Sequence, residues 1–278
     1  DVDVCRAVEA ATLGDATKVK FVPLTAKERF TALQSGEIDM LSRNTTWTIT
    51  RDASLGLNFA GVNYYDGQGF MVKSSLGVSS AMELSGAAIC IQAGTTTELN
   101  LADWGKANGI EYNSVVSDTN AQTLTNYDAG RCDVLTTDAS GLYSMRAAAN
   151  DPSEHVVLPE IISKEPLGPV VRQGDDQWFN IVRWSLNAMI TAEELGVTSA
   201  TVDDVSNNPE RERLMGRSGS THEYVGLTPD WTYQIVKQVG NYSESFERNI
   251  GINTPIGIAR GVNALWTDGG ILYSPPFR

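Results

Sequence analysis

Histidine, cysteine and positive charge are what this sequence has least of. Its two histidines, His155 and His222, and its three cysteines, Cys5, Cys90 and Cys132, are scattered through 278 residues. None has the paired spacing of a zinc site, so no metal centre is expected, and no Cys-His or Ser-His nucleophile pairing can be proposed. Lys and Arg number 21 against 34 Asp and Glu, a net charge of -13. That balance opposes nucleic acid and anionic lipid, both of which need a positive footprint. It says nothing about a small ligand, whose site is set by local residues. No apolar run approaches the ~18 residues of a membrane span, and no low-complexity tract is present. What remains, 41% hydrophobic and 20% charged, is ordinary globular composition for one large domain or two of usual size. The chain opens at Asp1 on what reads as a helix start, as a trimmed mature chain or a cytosolic protein would.

Apolar spacing predicts a helix over 4–13, with Val4, Ala7, Val8 and Ala11 on one face and Gly14 as its stop. A short strand follows at 19–22. Thr25 and Glu28 form a capping box ahead of a helix that buries Phe30 and Leu33 and ends at Gly36. Residues 38–42 read as a buried strand. Residues 57–72 hold Gly67 and Gly69 beside an apolar strand, marking either a hinge or a turn. Residues 87–91 read as another buried strand. Gly94 and a Thr95–Glu98 capping box then open a helix near 96–107, whose free amides make either an anion site or simply a well-capped helix. A helix is predicted over 139–149, and residues 163–170, with Pro166, Gly168 and Pro169, suit a second crossing between lobes. Trp178 to Ile190 is a strongly amphipathic helix. Residues 201–222 read as loop, and 231–239, 246–250 and 256–266 as further helices. This tail is expected to pack on one of the lobes.

Residues 121–138 repeat the layout of residues 27–44 at an offset of 94. Gly130 answers Gly36, Asp133 answers Asp39, Leu135 answers Leu41, Thr125 answers Thr31, and at the strand ends Asp138 answers Asn44. Helix, glycine stop and strand therefore recur, which suggests two similar α/β lobes. Each presents a polar group at the C-terminal end of a strand, where open α/β sheets bind ligands. In the first half that end is the hydroxyl-, amide- and guanidinium-rich stretch 43–51. Arg51 can grip a carboxylate through two parallel bonds; the same stretch also fits a polar loop with a surface arginine.

These motifs, Leu41-Ser42-Arg43-Asn44-Thr45-Thr46-Trp47, Gly94-Thr95-Thr96-Thr97-Glu98-Leu99 and Gly130-Arg131-Cys132-Asp133 with Thr137-Asp138, resemble the periplasmic solute-binding proteins (family 3) of polar amino-acid ABC importers. The closest likeness is to the general L-amino-acid binding proteins, and it covers essentially the whole chain. The resemblance implies a two-lobe, type II periplasmic-binding-protein-like α/β fold with a helical C-terminal extension. Lobe 1 would be 1–70 with 167–278, and lobe 2 would be 71–166. It also implies a first strand and loop that would precede Asp1, and an aromatic ring stacked on the ligand from a position that falls here at Ala26; Trp47 or Tyr65 would have to replace it, if either is not simply core.

The resemblance assigns Arg51 to the ligand α-carboxylate, with Thr96 and its neighbour Thr95 at the helix start. Asp138 goes to the α-ammonium, with the Asn44 carbonyl and Thr46 hydroxyl facing it. Arg43 goes to an acidic or amide side chain, or else to a surface ion pair. The implied partners are a free L-amino acid of the glutamate, glutamine, aspartate or asparagine kind and an inner-membrane ABC permease, with no cofactor and a monomeric, periplasmic protein. In that compartment Cys90 and Cys132 could close a disulfide, leaving Cys5 a buried free thiol. The alternative is a dehydratase-type enzyme on the same scaffold.

Overall fold

The computed structural model describes residues 1–278. In chain order the elements are α1 (Val2–Leu13), α2 (Arg29–Ser35), β1 (Leu57–Phe59), β2 (Tyr64–Asp66), β3 (Gln68–Lys73), β4 (Ala88–Gln92), α3 (Thr96–Asn108), β5 (Asn113–Ser117), α4 (Asn120–Asp128) and β6 (Val134–Asp138). They continue with α5 (Ala139–Ala148), β7 (His155–Val157), β8 (Glu165–Leu167), β9 (Val170–Arg172), α6 (Asp176–Glu194), α7 (Pro209–Leu214), α8 (Thr221–Val225), α9 (Trp231–Gln238) and α10 (Tyr242–Asn249).

One lobe is built on a five-stranded sheet in the order β5-β4-β6-β3-β7. Strand β4 runs parallel to β5 and β6, while β3 runs antiparallel to β6 and β7. Both faces are covered, and the side chains alternate between them with the two-residue period of a strand. Phe70, Val72, Ile89, Ile91 and Val134 fill one core; Met71, Cys90 and Leu135 fill the other. Cys90 and Cys132 are joined as a disulfide inside the second core.

The other lobe is chiefly helical. The small apolar face of α1, rich in alanine, packs closely on α6 and α9 in a core that also takes in Phe246 and Phe277. Asp3 is buried there and receives hydrogen bonds from Ser245, Arg248 and Asn249 of the C-terminal region. Burial pushes its carboxyl up, but those donors win and hold it below the ordinary value. The tail thus packs as expected. Its Asn263 side chain also accepts from the Tyr65 amide at 2.7 Å and donates to the Tyr65 carbonyl at 3.0 Å, completing one edge of β2.

The chain passes between the lobes on one antiparallel ladder, β2 with β8, while β1 pairs with β9 in a core that also holds Leu33 and Leu41. Gly67 and Gly69 sit in extended chain running from β2 into β3, so they make no turn. At the second crossing Gly168 lies so close to Gly61 that a Cβ would fall 1.9 Å from the Gly61 carbonyl oxygen. Only glycine permits that approach.

Several expected elements take other forms. Residues 19–22 make no strand, and 38–42 keep a single ladder contact, Leu41 with Val170. A strand persists only where a neighbour satisfies its backbone. Here a cavity of about 600 Å³ separates the two segments instead. The strand and loop that the resemblance implies before Asp1 lie outside the described residues. Cys5 lines the same cavity and is half-buried, not fully buried. The Thr25–Glu28 box forms, although regular helix starts only at Arg29. The Thr95–Glu98 box does not: Thr95 donates to the Gln92 carbonyl, and Glu98 reaches back to the Gly94 amide. Within 201–222 the Asn208 side chain caps a short helix, α7, that proline starts. Residues 256–266 are irregular apart from 3₁₀ turns, because Gly257 and Gly261 take positive φ and break the helical run.

Candidate ligand-binding site

Between the lobes lies a small, wholly polar cavity. The parallel neighbours β4 and β6 bring their C-terminal ends side by side, so the start of α3 and Asp138 face the same space. The opposite wall is the extended stretch 41–47, held along the second crossing by Leu41 to Val170, Gly168 to Thr45 and Trp47 to Pro166 backbone bonds. That stretch turns at Asn44, the one non-glycine residue with positive φ, at 26°. Asparagine tolerates this region better than most residues, and such backbone clusters at functional sites.

Six of the seven sequence-derived residues line the cavity: Arg43, Asn44, Thr46, Thr95, Thr96 and Asp138. Asn44 Nδ2 donates to Asp138 Oδ2 at 2.9 Å, and Thr46 Oγ1 lies 3.4 Å from Thr96 Oγ1, so both pairs join the lobes. The Asn44 carbonyl oxygen is turned towards Arg43 Nη1, at 3.4 Å. Arg51 stands just behind this wall. It sits in a π-helical turn over 50–54, donates to the Thr46 carbonyl at 3.0 Å and rests its guanidinium on the Phe30 ring. Burial lowers its pKa while the Glu165 and Asp138 carboxylates pull it back up.

Asp138 is 5% exposed, and Asn44 is the one side chain that donates to it. Burial, with Asp66 as a second acid close by, pushes its pKa up to about 7; Glu165 adds to the rise, and Asn44 and Arg29 oppose it. It is a buried carboxyl that lacks a cation.

Two further residues were not singled out from sequence. Glu165, at the start of β8, accepts from Thr46 Oγ1 at 2.5 Å, Thr96 Oγ1 at 3.1 Å, Asn100 Nδ2 at 2.6 Å and Ser163 Oγ at 2.7 Å. It ties both lobes to the crossing strand. Its only signal was its place in the crossing segment. Arg29, on the first turn of α2, also lines the cavity. Its signal was weaker still, an arginine on a helix whose apolar side was already assigned. Ala26 is buried, Tyr65 is half-buried, and Trp47 stacks flat on Phe59 with 40% of its surface exposed.

Several known proteins are similar to this chain. The family described as bacterial extracellular solute-binding proteins, family 3, matches residues 1–201. The chain is 62% identical over 282 residues to the general L-amino acid-binding periplasmic protein AapJ of Rhizobium johnstonii, covering 100% of this chain and 83% of that protein. It is 57% identical over 281 residues to the glutamate/glutamine/aspartate/asparagine-binding protein BztA of Rhodobacter capsulatus, covering 100% and 83%. A solved ABC transporter periplasmic binding protein from Brucella ovis with glutathione bound superimposes with a TM-score of 0.98 at 58% identity, over 100% of this chain and 88% of that one.

Proposed function

The chain belongs to family 3 of the bacterial extracellular solute-binding proteins, and from that premise we propose that it binds free polar L-amino acids in the periplasm and delivers them to an inner-membrane ABC permease. The observation that carries this is Asp138, a buried carboxyl between the lobes with one amide donor and no cation. An α-ammonium supplies what it lacks. Arg51, with the hydroxyls and amides of Thr95 and Thr96, suits the α-carboxylate, and Asn44 and Thr46 orient the ammonium end. A zwitterion requires this division, since each charge buried without a partner costs several kcal/mol.

The lobes are assigned as 1–70 with 167–278 and as 71–166, supported by the β2–β8 ladder on which the chain crosses. Each lobe contributes half of the site, so the ligand favours the conformation in which the halves meet. The wholly polar cavity holds about 10 Å³, roughly one water, and a second cavity of about 410 Å³ shares Asn44 and Asp138 with it and adds Tyr64 and Ser140. We read the protein as a monomeric binder, not an enzyme. Glutathione, named for the Brucella relative, carries the same α-amino-acid end, which fits the assignment.

The dehydratase-type alternative has one observation on its side, a carboxyl near neutrality, as general acid–base work needs. Calorimetry with L-glutamate, L-glutamine, L-aspartate, L-asparagine and D-glutamate tests the main reading. Micromolar or tighter binding of L-isomers and none of the D-isomer is expected. Turnover of a cyclic carboxylate without amino-acid binding would favour the enzyme.

A further inference from the structure

We propose that the cleft also takes amino acids whose nitrogen carries a neutral, hydroxylated substituent, seated in the second cavity, which opens from the ammonium end of the site and is walled in part by the C-terminal tail. The inference rests on the amino-acid reading above and extends it to a further class of ligand.

The second cavity, of about 410 Å³, meets the polar one at two shared residues, Asn44 and Asp138. Both are assigned to the ligand's ammonium. Thr95 and Thr96, which suit its carboxylate, line the polar cavity alone. The atom of a bound amino acid that stands at the junction is therefore its nitrogen. A secondary amine keeps its positive charge, so Asp138 still gains the cation it lacks while the substituent enters the larger space. That space falls within the roughly 300–1,000 Å³ of small-molecule sites. Tyr242, Asn249 and Ile256 of the tail supply part of its wall.

The wall narrows the kind of substituent. No Lys, Arg or His lines this cavity, whereas Asp1, Asp3 and Asp138 do, which disfavours an anionic group. Asn63 is 9% exposed, and its Oδ1 is buried without a donor, a cost that a ligand hydroxyl would remove. Asn63 Nδ2 donates to Asp1 Oδ1 at 3.5 Å, and the Asn44 amide donates to Asp1 Oδ2 at 2.9 Å. The orphan acceptor thus stands one carboxylate away from the Asn44–Asp138 pair.

A second ammonium is not what this wall lacks. Asp3 is already met by Arg248, Ser245 and Asn249, and Asp1 by Ser42 and the two asparagines. The unmet group is a neutral acceptor. Ser140 and Ser144 offer further hydroxyl partners, and Met189 and Ile256 offer apolar surface for the carbons between. A short hydroxylated chain matches both.

The test is calorimetry at pH 8 on the native protein and Asn63→Ala. The ligands are L-glutamate and its N-(2,3-dihydroxypropyl), N-propyl and N-carboxymethyl derivatives. Native protein is expected to bind the dihydroxypropyl compound within about tenfold of L-glutamate. It should prefer that compound about three- to tenfold over the propyl one, the worth of one neutral hydrogen bond, and at least about tenfold over the carboxymethyl one. In N63A the advantage over propyl should fall below about twofold. Native protein that binds the dihydroxypropyl compound more than about tenfold more weakly than L-glutamate overturns the proposal, as does one that binds it no better than the propyl or carboxymethyl compound. Neither result needs the variant to fold. N63A that keeps the full advantage over propyl overturns it too. Native protein that does not bind L-glutamate or any other L-amino acid would remove the amino-acid reading itself, a result distinguishable from all of these.

Discussion

Asn44 and Asp138 stand 94 residues apart, at matching places in the internal repeat, and are hydrogen-bonded to each other across the cleft. The two copies of one structural idea therefore meet at their tips. Each tip alone is half a site. Asp138→Asn removes the one acid on the wall of the polar cavity, and should weaken amino-acid binding at least about 100-fold. Asn44→Ala should cost about tenfold, since it removes orientation and not charge. Titration calorimetry of both variants, beside thermal melts to show that they fold, checks the pair.

Binding should depend on pH through the same carboxyl. Without ligand Asp138 titrates near 7, because burial and Asp66 favour its protonated form. An ammonium beside it favours the ionised form and drives its proton off. Affinity should therefore fall by up to about tenfold per pH unit as pH drops below 7, and level off above about 8. Calorimetry at pH 7 in buffers of different ionisation enthalpy should register about half a proton released per ligand. Uptake, or no exchange, would contradict this. The sign for stability is opposite to that of most acids. Asp138 binds its proton more tightly folded than unfolded, so its contribution to stability falls as pH rises from about 4 to 7, and ligand restores it.

Glu165 accepts from four side chains drawn from both lobes and the crossing. Glu165→Ala would leave Thr46, Thr96, Asn100 and Ser163 facing an empty spot. A loss of about 2–4 kcal/mol is expected from bonds to a charged acceptor that go unmade. Because two of the four lie on opposite walls, ligand-free protein should also open further, visible as a larger radius of gyration in solution scattering. Unchanged scattering with lowered stability would restrict Glu165 to a packing role.

The Cys90–Cys132 disulfide spans 42 positions. Replacing both cysteines by alanine frees that loop in the unfolded chain, at a cost of about 4 kcal/mol on chain-entropy grounds. Denaturant unfolding of the double variant measures it. Amino-acid affinity should change little, since the bridge lies in the apolar core on one face of the sheet and touches none of the cavity wall.

The sheet lobe was legible in the sequence because its strands are buried on both faces and read as short apolar runs between glycines. The runs at 87–91 and in the second repeat became β4 and β6 nearly residue for residue. The runs at 19–22 and 38–42 look the same on paper but lack the ladder partners that would keep them strands. Pattern reports what a segment buries, not whether a neighbour is there to satisfy its backbone. The cleft was legible where small polar residues follow or end a short apolar run, hence Asn44, Thr46, Thr96 and Asp138. It was illegible where a charge is turned inward from an otherwise ordinary helix or strand. Neither Arg29 nor Glu165 has a neighbour in sequence that betrays the direction of its side chain.

The tail beyond residue 201 lies outside the residues that match the family as a whole, though relatives such as AapJ share it, and through Asn263 it supplies one residue of β2 with a substitute peptide group. One of the two straps joining the lobes is thus splinted from the side by Asn263, which lines neither of the cavities that contain Asp138. Swing and grip are consequently separable traits here. Changes around Asn263 can retune how readily the jaws part while every contact to the cargo stays as it was.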